Sequence, residues 1–134
     1  KSYEKELASE KKSIRCVESV LSDIKKKYKL SDDIYFNMLI AVTEAVNNAI
    51  IHGNKCDPSK IAYLTIEING NEITVKVKDQ GEGFDIEKIA DPRDPENLLK
   101  EGGRGVFLIR EITDKCCFFV SDKGTEIEMH FKIQ

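Results

Sequence analysis

The sequence lacks the spacings that usually hold metals. Its four cysteines, Cys16, Cys56, Cys116 and Cys117, form no C-x-x-C pair, and its two histidines, His52 and His130, stand far apart. That argues against a zinc site. It leaves the thiols as buried or idle groups in a reducing compartment, a cytoplasm. No apolar run reads as long enough to cross a bilayer, and residues 1–7 carry no signal-peptide pattern, so no membrane partner is expected. An initiator Met is missing, which points to processing or excision. An excess of basic charge is also missing. The net charge is −3, which argues against nucleic acid as the main partner. There is no G-K-[ST], which excludes a P-loop, and no G-x-G-x-x-G after a first strand, which excludes a Rossmann site. No internal repeat is visible.

What is present suits one domain over residues 1–134. Residues 3–8 read as a short strand. Apolar positions Ile14, Val17, Val20, Leu21 and Ile24 recur at helical spacing between about 10 and 29. Lys25, Lys26 and Lys27 suit the end of that helix, where cations favour the dipole. Ser31-Asp32-Asp33 is a capping signal for a second helix running to about His52, and Gly53-Asn54 ends it. Residues 62–68 and 72–78 alternate around Asn69-Gly70-Asn71, a hairpin signature. Between 84 and 103 the chain is polar, with Leu98 and Leu99 as its apolar anchors. A connection this long is functional or mobile. An apolar helical pattern resumes over 105–112, and 115–121 and 125–132 read as strands. The order β-α-α-β-β-connection-α-β-β predicts an α+β, two-layer sandwich. Its mixed, mostly antiparallel sheet carries helices on one face.

The second helix ends in TEAVNNAIIHGN, residues 43–54. On a wheel of ~100° per residue, Glu44, Asn48 and His52 fall at ~0°, ~40° and ~80°, spaced i, i+4, i+8. Met38, Ala49, Val42, Val46 and Leu39 fill the opposite arc, the core face. Ala41 and Ala45 leave room beside the polar stripe, and Ile40 and Ile51 edge it. Two readings stand about even on the stripe alone. It faces solvent, or it floors a pocket whose carboxylate and amide oxygens suit Mg²⁺. The imidazole could then donate to an anion.

Two glycine clusters follow. Asp79-Gln80-Gly81-Glu82-Gly83 ends a strand, where glycine permits close approach of a ligand or another backbone. A tight turn is the plain alternative. Gly102-Gly103-Arg104-Gly105-Val106 runs into a helix start, where free N–H groups and the dipole favour phosphate. A hinge is its plain alternative.

Together, Glu44-x-x-x-Asn48-x-x-x-His52, Asp79-x-Gly81-x-Gly83 and Gly103-x-Gly105 resemble the N, G1 and G2 boxes of the GHKL (Bergerat-fold) ATPases. Within that superfamily the chain is most similar to bacterial anti-sigma-factor serine/threonine kinases. The resemblance implies ATP and Mg²⁺ as cofactors. It makes Asn48 the metal ligand and Glu44 the catalytic base. Asp79 would accept from the adenine amino group, with Gly81 letting the ring lie close and Thr125 helping to hold it. His52 and Gly83 would also contact the nucleotide. Gly102, Gly103, Arg104, Gly105 and Val106 would meet the phosphates, under an ATP lid at approximately 86–102 that is mobile when empty. Relatives place an Arg before the lid glycines; here Glu101 stands there, and Arg104 lies between the glycines. The partners implied are a sigma factor and a small anti-sigma-antagonist protein, with a homodimer as the common assembly. The competing readings are an ATP-gated protein-binding switch without transfer and the catalytic domain of a histidine kinase.

Overall fold

Apolar residues at every second position give the central strands one buried face. Ala62, Leu64, Ile66 and Ile68 point into the core, as do Ile73, Val75 and Val77, while the residues between them stay partly exposed. The structure is a computed structural model that describes residues 2–81, 101–121 and 123–133, and for 101–106 the backbone alone. Its elements are Ser2–Ala8 (β1), Ser13–Tyr28 (α1), Asp32–Asn47 (α2) followed by a π-helical segment Asn48–Gly53, Ile61–Asn69 (β2), Glu72–Lys78 (β3), Glu101–Ile112 (α3), Lys115–Ser121 (β4) and Gly124–Lys132 (β5).

The five strands form one sheet in the order β1-β2-β3-β5-β4. The sheet was expected to be mostly antiparallel, and every pairing among the described strands is antiparallel. The β2–β3 hairpin pairs Asn69 with Glu72, and Gly70 takes φ 58°, the left-handed angle that a two-residue turn demands. β3 and β5 sit at the centre, in a register that sets Lys78 opposite Glu126. That register brings the end of β3 beside the start of β5.

The helices cover the apolar face of the sheet, with α2 between α1 and α3. The Ser31 hydroxyl caps α2 by accepting from the Ile34 N–H at 3.3 Å, as its sequence signal predicts. α1 closes on Lys29 in the left-handed region, with Lys25, Lys26 and Lys27 in its last turn. One expectation is corrected. The continuous helical stretch Asp32–Gly53 is long and apolar enough to cross a membrane. Its apolar side serves the core instead: Met38, Ala41, Val42, Ala45 and Val46 are buried there. All four cysteines are free, with Cys16 and Cys56 exposed and Cys116 and Cys117 half-buried.

Candidate nucleotide site

The end of α2 does not stay α-helical. From Asn48 the helix widens to π winding, and the Asn54 N–H donates to the Ala49 carbonyl at 2.7 Å, five residues back. The α-helical wheel therefore holds for Glu44 and Asn48 but not for His52, whose angular position changes with the wider turn. The chain then reverses through Lys55 and Cys56, both left-handed at φ 53° and 56°, fixed by the Cys56 N–H to the Ile50 carbonyl at 2.8 Å. Such angles cost roughly 1–2 kcal/mol per non-glycine residue, and π bulges and strained turns of this kind concentrate at functional sites.

This segment delivers Gly53 to Asp79. The Asp79 carboxylate is buried, with 1% exposure. Its Oδ1 accepts the Gly81 N–H at 2.9 Å and the Thr125 N–H at 3.1 Å. Its own N–H donates to the Thr125 carbonyl at 3.0 Å. Burial pushes the carboxyl above the usual aspartate range, against the lowering pull of those two N–H donors. Two glycines crowd it, and a third crowds Gly53. A Cβ on Gly53 would stand 2.1 Å from Oδ2, one on Gly124 2.2 Å from the Asp79 carbonyl oxygen, and one on Gly81 1.8 Å from the Gly53 carbonyl oxygen. Asp79 is thus clamped by backbone, with space that only hydrogen atoms can fill.

Among the described residues, two buried polar atoms have no hydrogen-bond partner: Asn48 Nδ2 and Thr125 Oγ1. Their residues are 4% and 1% exposed. An unmatched buried donor costs about 1–3 kcal/mol, so groups in this state are those a ligand or ordered water completes. Asn48 lies one turn beyond Glu44, which is half-buried on α2, and His52 is half-buried beside Gly53. No cluster of three His, Cys, Asp or Glu stands ready for a metal among the described residues. Mg²⁺ does not need one, because one or two side chains, water and phosphate oxygens suffice. The Asn48 amide fits that mode of binding.

α3 begins at Glu101, four residues before its expected start. Gly102 and Gly103 therefore sit in its first turn, among the four residues whose N–H groups have no acceptor within the helix. Gly105 and Val106 come after that turn, and their N–H groups lie within reach of intrahelical carbonyls. Arg104 is in the same helix. Gly83 and the lid residues 86–100 lie outside the described residues.

Sequence reasoning missed several parts. Gly53 and Asn54 read as a helix stop, whereas Gly53 makes room for Asp79 and Asn54 is fully buried. The Asn54 side chain spans Ser9 and Gln80, respectively 45 and 26 residues away. Gly124, just before Thr125, takes φ 138° and lies against the Asp79 backbone. A separate groove of about 360 Å³ lies between Ile34 and Asn37 of α2 and Phe131 of β5, at the far end of α2, and contains none of the expected site residues.

Known proteins resemble the chain in sequence and in fold. The chain is 38% identical over 98 residues to an anti-sigma F factor of Clostridium perfringens, covering 69% of each chain. It is 33% identical over 124 residues to the serine-protein kinase RsbW of Staphylococcus epidermidis, covering 87% of this chain and 77% of that one. In fold it resembles the RsbU and RsbW domains of a Mycobacterium tuberculosis protein, with a TM-score of 0.75 at 14% identity, over 99% of this chain and 32% of the other. A blue-light activated histidine kinase of Erythrobacter litoralis follows with a TM-score of 0.60 at 19% identity, over 78% of this chain and 32% of that one. The family profile described as histidine kinase-like ATPase domain matches residues 7–131, and the chain belongs to that family.

Proposed function

We propose that this protein is an ATP-dependent serine/threonine kinase of the anti-sigma-factor type. It transfers phosphate to a small anti-sigma-antagonist protein and holds a sigma factor when that antagonist is not engaged. Two similar proteins carry the names anti-sigma F factor and serine-protein kinase RsbW. The observation that carries the reading is the backbone-clamped Asp79 beside Thr125, with unpaired buried polar atoms on Thr125 and Asn48.

In this reading Asp79 accepts from the adenine amino group, and its two backbone donors hold the carboxylate in place. Thr125 Oγ1 adds a second polar contact to the base. Asn48 holds Mg²⁺, and its amide N–H meets a phosphate oxygen. The ion, when bound, neutralises phosphate charge. Gly102 and Gly103 present N–H groups at the start of α3, where the helix dipole favours anions. Glu44 takes the proton from the attacking serine hydroxyl as that oxygen bonds the γ-phosphorus and the phosphorus–oxygen bond to the departing ADP breaks. Phosphoryl transfer asks mainly for positioning and charge stabilisation, which such a site supplies.

The test is transfer of label from ATP to a candidate antagonist, by the wild type and by Glu44→Gln. Loss of transfer with retained ADP binding supports the reading. Equal rates in both remove Glu44 as the base. Glu101, standing where relatives place Arg, motivates a second reading in which ATP gates partner binding without transfer. Partner release by a non-hydrolysable nucleotide, with no phosphopartner formed, would favour that second reading.

A further inference from the structure

We infer that Asn54 is a positioning residue for adenine recognition, and that Ser9 sets its orientation. The inference deepens the nucleotide reading above and rests on Asp79 being the residue that meets the base. Asn54 follows the π-helical segment directly and is fully buried. Its Oδ1 accepts the backbone N–H of Gln80 at 2.7 Å. Its Nδ2 donates to Ser9 Oγ at 3.0 Å. The Ser9 hydroxyl in turn donates to the Lys60 carbonyl at 2.6 Å.

The chemistry allows one orientation of this amide. The Gln80 N–H is a donor and needs the amide oxygen. The Ser9 hydrogen is committed to Lys60, so the Ser9 oxygen can only receive. Every hydrogen bond in the chain therefore points one way, from Asn54 through Ser9 to the turn before β2. Gln80 lies between Asp79 and Gly81, and its side chain is tied as well, accepting from the Ile61 N–H at 2.8 Å and donating to the Tyr63 hydroxyl at 3.1 Å. The peptide on which Asp79 and Gly81 turn is thus pinned by Asn54 from one side and by β2 from the other. Asp79 keeps its aim because Asn54 fixes the next residue's backbone.

The experiment is calorimetric titration of the wild type, Asn54→Ala and Ser9→Ala with Mg-ADP and, separately, Mg-GDP, below the melting temperature of each. The two nucleotides share phosphates and ribose, so their affinity ratio reports the base contact alone. A general loss of stability would weaken both together. We expect Asn54→Ala to lose at least tenfold in ADP affinity with less than threefold change for GDP, and Ser9→Ala to narrow the ratio about threefold. If Asn54→Ala does not fold, Ser9→Ala decides. A wild-type ratio preserved in the folded variants overturns the role of Asn54. A wild type that binds ADP and GDP equally overturns the adenine reading of Asp79, and this inference with it.

Discussion

Replacing Gly81 by alanine tests the clamp around Asp79. The new Cβ would stand 1.8 Å from the Gly53 carbonyl oxygen and 2.5 Å from its carbon. Ordinary contact requires a retreat of more than about 1.5 Å. The obstacle is backbone at the end of a helix, so no side chain can swing aside. A shift of that size breaks the 2.9 Å bond from Gly81 N–H to Asp79. Overpacking costs about 1–3 kcal/mol, and a buried carboxylate losing a donor costs about 1–3 kcal/mol more. For a chain of this size, 1 kcal/mol moves Tm by about 3–5 °C, so the expected fall is roughly 10 °C or more. Gly70→Ala is the control. Its φ of 58° also strains alanine, but nothing lies within 4 Å, so it should lose about 1–2 kcal/mol and leave nucleotide affinity unchanged. Thermal melts and Mg-ADP titration of both variants read the difference. Gly81→Ala with Tm within about 2 °C of wild type and ADP affinity within about twofold would refute the close packing of Gly53 on Gly81 and its part in binding.

Further outcomes follow from the same geometry. Glu44→Gln should lower phosphate transfer by about 10²–10⁴-fold while ADP binding holds, as radiolabel transfer beside calorimetry would read. Thr125→Val removes a buried hydroxyl that has no partner among the described residues. The free protein should melt no lower than wild type, while ADP affinity falls, and a clear drop in Tm without nucleotide would show the hydroxyl is satisfied in the fold. Asp79 ionises at a higher pH than a free aspartate. Its folded pKa exceeds its unfolded one, so the penalty of burying the charge is full above the folded value. That penalty shrinks as pH falls below the folded value and is gone below the unfolded one. The stability gap between wild type and Asp79→Asn should therefore shift in favour of wild type on acidification. Adenine affinity should fall over that same interval, as protonation removes an acceptor. pH-dependent melts and titrations of the pair check both signs. Ser31→Ala removes the cap on Ile34 and should lower stability by about 0.5–2 kcal/mol without touching nucleotide affinity, as denaturant titration and calorimetry would show.

Much of the architecture was legible because local rules agreed with one another. Alternation over β2 and β3, the Gly70 turn and the Ser31 cap each specify their element within a few residues. Asp79, Gly81 and Thr125 were legible as site residues through the resemblance, and the structure brings the three together. The π winding was not legible, since residues 48–53 satisfy an α-helical wheel equally well. The bond from Asn54 to Ala49 belongs to an end that is also tied to Gln80 and Ser9. The early start of α3 was hidden by Gly102, Gly103 and Gly105, each of which disfavours a helix by about 1 kcal/mol, a local preference that the fold overrides. The role of Asn54 depends on partners brought together only by the completed sheet, beyond the reach of any local pattern.

The wide turn at Asn48–Gly53 has a consequence for how this protein tolerates insertions and deletions. Removing one residue there would let the segment rewind as an ordinary α-helix. A π turn holds one residue more than an α turn, so the chain beyond it would keep nearly the same direction around the axis. Gly53 would still face the Asp79 carboxylate and Asn54 would still face Gln80. One residue added to an α-helix at this point would instead turn both away by about 100°. The segment should therefore survive the loss of one residue better than the gain of one, a slack in length that the crowded Gly53 does not have in side-chain size.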